Sequence, residues 1–60
     1  MNAKEEELVD WINNKLRYID VVIQQAQEDS NYGKETQFKG MREAYQELLE
    51  KLNPLKEAAA

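Results

Sequence analysis

The chain has 60 residues, of which eight are basic and twelve acidic, and its formal charge is −4. A chain of this length forms one small domain that buries only about 60% of its unfolded surface, so disulfides, a metal or a partner chain usually add to its stability. The sequence contains no Cys and no His, which excludes disulfides and Cys/His zinc sites. We therefore expect neither a metal nor a cofactor, and association with another chain is the remaining source of stability.

The net negative charge of the chain arises entirely from its first half. Residues 1–30 contain three basic and seven acidic residues, whereas residues 31–60 contain five of each. An acidic surface repels phosphate backbones, which argues against a nucleic-acid partner. The first residues do not resemble a signal peptide, and no apolar run approaches the roughly 20 residues of a membrane span. Together with the absence of cysteine, this predicts a cytoplasmic protein that does not enter a membrane.

The first predicted element is a helix over about residues 3–29. Asn2 followed by Glu5 is the pattern of an N-cap with its reciprocal acid, and acidic residues in the first turn suit the helix dipole. Six apolar residues then recur at alternating intervals of three and four, which places them on one face of a helix. They are Val9, Ile12, Leu16, Ile19, Ile23 and Ala26.

The second predicted element is a helix over about residues 34–53 with an equally spaced apolar stripe. The stripe consists of Phe38, Met41, Tyr45, Leu48, Leu52 and Leu55, with Leu49 and Ala44 on its flanks. Pro54 disfavours helical geometry in the residue before it, so the helix should end at Asn53. The remaining residues, 54–60, are expected to form a frayed tail.

Residues 30–33 decide between one long helix and a hairpin. In a single helix Ala26 and Phe38 would lie about 120° out of phase, and the two stripes would not join. If the chain instead reverses at Tyr32, residue i faces residue 64 − i, and every stripe residue meets an apolar partner. Either Gly33 or Asn31 can adopt the positive φ of such a turn. The sequence therefore predicts an all-α fold, an antiparallel two-helix hairpin formed by residues 1–60.

Helix 1 carries more apolar surface than a hairpin needs. A second line lies beside the first stripe and consists of Leu8, Trp11, Lys15, Tyr18 and Val22. A lone hairpin would leave Trp11, Tyr18 and Val22 exposed, and contiguous exposed apolar surface marks an interface. Because closed two-fold dimers are the commonest oligomers, we expect two hairpins to form a four-helix bundle with helix 1 at the dimer seam.

Two residues near this surface admit two interpretations each. Lys15 is either a snorkelling lysine, whose stem packs between Trp11 and Tyr18, or a charge that selects a partner with cation–π help from Trp11. Gly40 is either a tolerated surface glycine or, with Ala44, a pair of small residues that lets another helix approach closely.

Arg42 joins Lys34 and Lys39 in a modest basic cluster, which acidic residues interrupt and which is therefore typical of a mixed surface. Besides the tyrosines, Ser30 and Thr36 are the only hydroxyl nucleophiles, and no His or Cys is present to activate them. We expect no enzymatic activity, but a protein-binding or regulatory homodimer. Its candidate contact residues are Leu8, Trp11, Lys15, Tyr18, Val22, Gly40 and Arg42.

The predicted plan of two paired hairpins resembles that of the Rop family of plasmid copy-control proteins, in architecture alone. That resemblance implies RNA binding as an alternative function, although the acidic helix 1 departs from what RNA binding needs. A purely structural assembly unit is a third possibility.

Overall fold

A computed structural model describes the backbone of residues 3–59 and the side chains of residues 3–52. Two helices, α1 (Ala3–Glu28) and α2 (Tyr32–Ala59), pack along each other as an antiparallel hairpin about 44 Å long and 15 by 12 Å across. The predicted all-α hairpin is confirmed. The predicted N-cap residue Asn2 lies outside the described residues.

The chain reverses through a compact turn that ends α1 and starts α2 within three residues. Ser30 has a φ of 53° and occupies the left-handed region. The Asn31 N–H donates to the carbonyl of Ala26 at 2.8 Å, and the Ser30 N–H donates to the carbonyl of Gln27 at 3.2 Å. This pair of bonds is a Schellman motif, which satisfies carbonyls that the end of α1 would otherwise leave without partners.

Asn31 also caps α2, which explains why this helix begins at Tyr32 rather than near Lys34. The Asn31 side chain accepts a hydrogen bond through Oδ1 from the Lys34 N–H at 3.3 Å, and its carbonyl accepts one from the Glu35 N–H at 3.0 Å. The prediction that Gly33 or Asn31 takes positive φ was wrong. A capping residue needs an extended backbone, and Gly33 already belongs to the first turn of α2, so the left-handed position falls to Ser30.

The helix end predicted at Asn53 was also wrong, because α2 continues past Pro54 to Ala59. A proline removes one backbone hydrogen bond from a helix interior and bends the helix, but it does not always end it. The residues that follow, through Ala59, include Leu, Lys, Glu and Ala, all of which favour helical structure. The tail predicted to fray is therefore helical up to this residue.

The core lies almost entirely on α1. Ile12 and Ile19 are fully buried, and Val22, Ile23 and Ala26 nearly so, whereas none of the described side chains of α2 is buried. The predicted stripe of α1 is thus confirmed at its four best-buried positions, while Val9 and Leu16 are half-buried.

The predicted stripe of α2 was wrong at two positions. Met41 and Leu48 are 37% and 41% exposed, whereas their neighbours Arg42 and Leu49 are half-buried. The helix is rotated relative to the prediction, so that Phe38, Tyr45 and Leu52 still face α1 but Met41 and Leu48 lie at the edge of the seam. The predicted contact between Val9 and Leu55 involves a side chain outside the described residues.

Candidate interaction surface

Polar contacts close one edge of the seam between the helices. Arg42 donates through Nη1 to Oδ1 of Asp20 at 3.1 Å, and Gln27 donates through Nε2 to Oε2 of Glu35 at 3.0 Å. Nζ of Lys39 lies 2.8 Å from the same Glu35 oxygen. Asp20 and Gln27 are seven residues apart, as are Glu35 and Arg42, so each pair lies on one line along its helix. We call this edge the bridged side.

The carboxylate of Glu35 is the centre of these contacts. The hydrogen bond from Lys39, followed by the one from Gln27, lowers the pKa of Glu35 below the ordinary value of a glutamate, although partial desolvation acts in the opposite direction. Hydrogen bonds to the ionised carboxylate favour the charged form, which is the form that accepts the hydrogen bond from Gln27 across the seam.

Aromatic rings meet at the opposite edge of the seam. The rings of Trp11 and Tyr45 pack edge to face with centroids 5.8 Å apart. Nζ of Lys15 lies 5.3 Å from the centroid of the Trp11 ring, so the cation–π contact that the sequence suggested for Lys15 is present. Trp11 and Asp20 are nine residues apart, which places their side chains about 180° apart around α1. The ring pair and the Asp20–Arg42 bridge therefore lie on opposite sides of the hairpin.

Large apolar side chains are exposed on this second side. Trp11 and Tyr18 are 48% and 60% exposed, and Leu8 is 41% exposed. On α2, Met41 and Leu48 lie seven residues apart on the edge away from Arg42, and because the helices are antiparallel they extend the same side of the hairpin. We call this surface the aromatic face. It consists of Leu8, Trp11, Lys15, Tyr18, Met41 and Leu48.

Three of the predicted contact residues do not join the aromatic face. Val22 is buried within the hairpin, so the expectation that a lone hairpin leaves it exposed was wrong. The reason is that the surface of α1 midway between its two apolar lines faces α2, so residues of both lines are buried. Arg42 lies on the bridged side. Gly40 borders the aromatic face on the outer edge of α2, and a Cβ atom placed there would meet nothing within 4 Å.

Sequence reasoning missed Met41 and Leu48 because it assigned both to the core. A signal was present, since Met41, Ala44 and Leu48 form a line on α2 with the same three-four spacing as the exposed line on α1. Each helix has two neighbouring apolar lines that could face the other helix. The second line on α1 was identified from the sequence, but the one on α2 was not.

The remaining surface offers no metal site among the side chains of residues 3–52. The described part of the chain contains no group of three acidic residues placed to hold a metal ion. A shallow groove of about 270 Å³ runs along the outer edge of α2, lined by Glu43, Gln46, Glu47 and Glu50. Within the described residues, neither helix combines the length and apolar content needed to cross a membrane.

No protein-family model, curated protein or solved structure matches this chain. The role of the aromatic face is therefore inferred from its own contacts, exposure and charge.

Proposed function

We propose that this chain is a non-enzymatic protein–protein interaction module of a regulatory kind, which works as a homodimer of helical hairpins. The observation that carries the proposal is the difference between its two sides. Polar contacts close the bridged side, whereas the aromatic face exposes five large apolar side chains on one surface. Exposed apolar surface of this kind, rich in aromatic rings, is typical of an interface.

The occupant of the aromatic face in this proposal is a second copy of the chain. Among residues 3–52, all five buried side chains belong to α1, so the apolar edge of α2 at Met41 and Leu48 is only partly covered in the single hairpin. A second hairpin placed on the aromatic face would cover that edge and complete a four-helix bundle. It would also supply the additional burial that a chain of this size usually needs.

RNA binding gains no support from the basic cluster of α2. Lys39 pairs with Glu35 at 2.8 Å and Arg42 with Asp20 at 3.1 Å, so carboxylates already neutralise two of the three cations that a phosphate backbone would contact. A gel-shift measurement at low salt, where phosphate contacts are strongest, checks this alternative.

Sedimentation at micromolar concentration tests the homodimer. We expect the wild type to sediment as a dimer and the variant with Trp11→Ala and Leu48→Glu to sediment as a monomer, because the variant removes a large ring and places a charge on the aromatic face. Gln24→Glu is the matched control. Gln24 is exposed and lies on the outer side of α1, well away from Trp11 and Tyr18, so this variant should remain dimeric. A wild type that sediments as a well-folded monomer would contradict the proposal.

A further inference from the structure

Two hairpins can close across the aromatic face in two ways. A two-fold axis perpendicular to the helices places α1 on α1 of the partner and the two turns at opposite ends. A two-fold axis parallel to the helices places α1 on α2 of the partner and the two turns at the same end. We infer that the second arrangement is the one this chain forms, an inference that rests on the proposed homodimer.

The position of Lys15 argues against the perpendicular axis. Lys15 lies between Trp11 and Tyr18, near the middle of the aromatic face, with its amine over the Trp11 ring. A perpendicular axis through the middle of the face would place Lys15 directly against Lys15 of the second copy. Like charges brought together at an interface oppose association.

The parallel axis instead brings opposite charges together. Glu7 lies one helical turn before Trp11, and Lys51 lies one turn after Leu48, so both border the aromatic face on its outer edges. Both are exposed, and neither makes an ion pair with any side chain of residues 3–52. When α1 lies on α2 of the second copy, these two edges meet, and Glu7 of each copy borders Lys51 of the other.

The register of the hairpin places these two residues at the same height. In an antiparallel hairpin, two residues at the same height along the helices have residue numbers whose sum is nearly constant. This sum is 62 for the Gln27–Glu35 and Asp20–Arg42 contacts and 56 for the Trp11–Tyr45 contact. The numbers of Glu7 and Lys51 add to 58, which falls between these limits. Two ion pairs related by the two-fold axis therefore form at the open end of the bundle, away from the turns.

Charge reversal tests the pairing. Glu7→Lys should weaken the dimer about tenfold, because two modest attractions at the rim become repulsions. Lys51→Glu should weaken it equally, and the variant that carries both changes should regain wild-type affinity. Glu6→Lys is the matched control, since Glu6 is exposed in the same helical turn but faces away from the aromatic face. Equal effects of Glu7→Lys and Glu6→Lys, without rescue, would overturn the pairing.

Spin labels measure the arrangement directly. Because the chain has no Cys, a single Glu28→Cys variant carries one label per copy next to the turn. The parallel axis predicts a label separation of about 30 Å or less, and the perpendicular axis one of roughly 35 Å or more, from the 1.5 Å rise per residue. Asn14→Cys, near the middle of α1, should give a short separation in either case. A dimer with a long Glu28 separation would overturn this arrangement and leave the proposed homodimer standing. A wild-type monomer would overturn both.

Discussion

The two sides of the hairpin are closed by different kinds of contact. On the bridged side, Asp20 meets Arg42 and Gln27 meets Glu35, and these polar groups find their partners within one chain. On the aromatic face the Trp11–Tyr45 ring pair spans the seam, and large apolar side chains beside it remain exposed. Within the single hairpin, these polar side chains have hydrogen-bond partners, whereas the apolar side chains of the aromatic face remain in contact with water. This difference between the two sides is the basis of the proposed interface.

We attribute the rotation of α2 to the contacts on the bridged side. Exposed ion pairs contribute only about 0.2–1 kcal/mol each, which is too little to hold a hairpin together. The Asp20–Arg42 ion pair and the Gln27–Glu35 hydrogen bond lie on one edge, and together they favour one of two neighbouring apolar lines of similar hydrophobicity. By drawing Arg42 and Glu35 toward α1, they move Met41 and Leu48 outward onto the aromatic face.

Emptying the core between the two sides should have the largest effect on stability. Ile19 is fully buried, so Ile19→Ala should lower the free energy of unfolding by about 2–5 kcal/mol and unfold a large fraction of the protein. Thermal melting followed by circular dichroism measures the loss. Val21→Ala is the matched control, because Val21 is 53% exposed and its truncation should change stability by about 0.5 kcal/mol or less. Equal losses would show that the seam has been placed wrongly.

The hairpin could be predicted from the sequence because two stripes of equal spacing flank a segment with turn-forming residues. The rotation of α2 could not, since Met41 and Leu48 compete with Leu49 for the same inward position and hydrophobicity alone does not separate them. We attribute the observed rotation to contacts between residues more than twenty positions apart, such as Asp20 and Arg42.

The left-handed residue of the turn escaped prediction for a related reason. Glycine is the usual choice for positive φ, but Gly33 lies inside α2 and Asn31 is occupied as a cap. Ser30 takes the position because Asn31 and Gly33 have other roles, and the propensity of each residue considered alone does not reveal this. The burial of Val22 in the candidate site could not be predicted either, because it depends on how far α1 is rotated toward α2.

Gly40→Ala tests the outer edge of the aromatic face. A Cβ atom at this position meets nothing within 4 Å in the hairpin, so the substitution should stabilise each hairpin by about 0.5–1 kcal/mol through helix propensity. Urea unfolding of the monomeric variant with Trp11→Ala and Leu48→Glu, with and without Gly40→Ala, isolates this gain. If the substitution instead destabilises the monomer, the surface around Gly40 is not open.

The Asp20–Arg42 bridge should contribute less to stability than the changes expected for Ile19→Ala and Gly40→Ala. A double-mutant cycle with Asp20→Asn and Arg42→Gln should give a coupling energy of about 0.2–1 kcal/mol, since both side chains are partly exposed to water. The coupling should weaken in high salt. The matched pair Lys34 and Glu43, which lie nine residues apart on opposite sides of α2 and do not bridge the helices, should show no coupling of this size. A coupling of zero for Asp20 and Arg42 would remove the bridged side as the cause of the rotation.

The smallest expected effect concerns Glu35 and is visible as a dependence on pH. The hydrogen bonds from Lys39 and Gln27 lower the pKa of Glu35 in the folded state, so this carboxyl stabilises the fold at pH values above the ordinary glutamate range. As the pH falls, the unfolded chain binds the proton first. The stabilisation therefore decreases progressively and is gone once the pH has fallen below the lowered pKa of the folded state. The difference in the free energy of unfolding between wild type and Glu35→Gln should therefore be positive at neutral pH and shrink in acid. Lys39→Gln, which retains Glu35 but removes the main cause of its lowered pKa, should reduce the same pH dependence. If the difference between wild type and Glu35→Gln is constant from neutral pH into acid, the ionised carboxylate of Glu35 does not stabilise the hairpin.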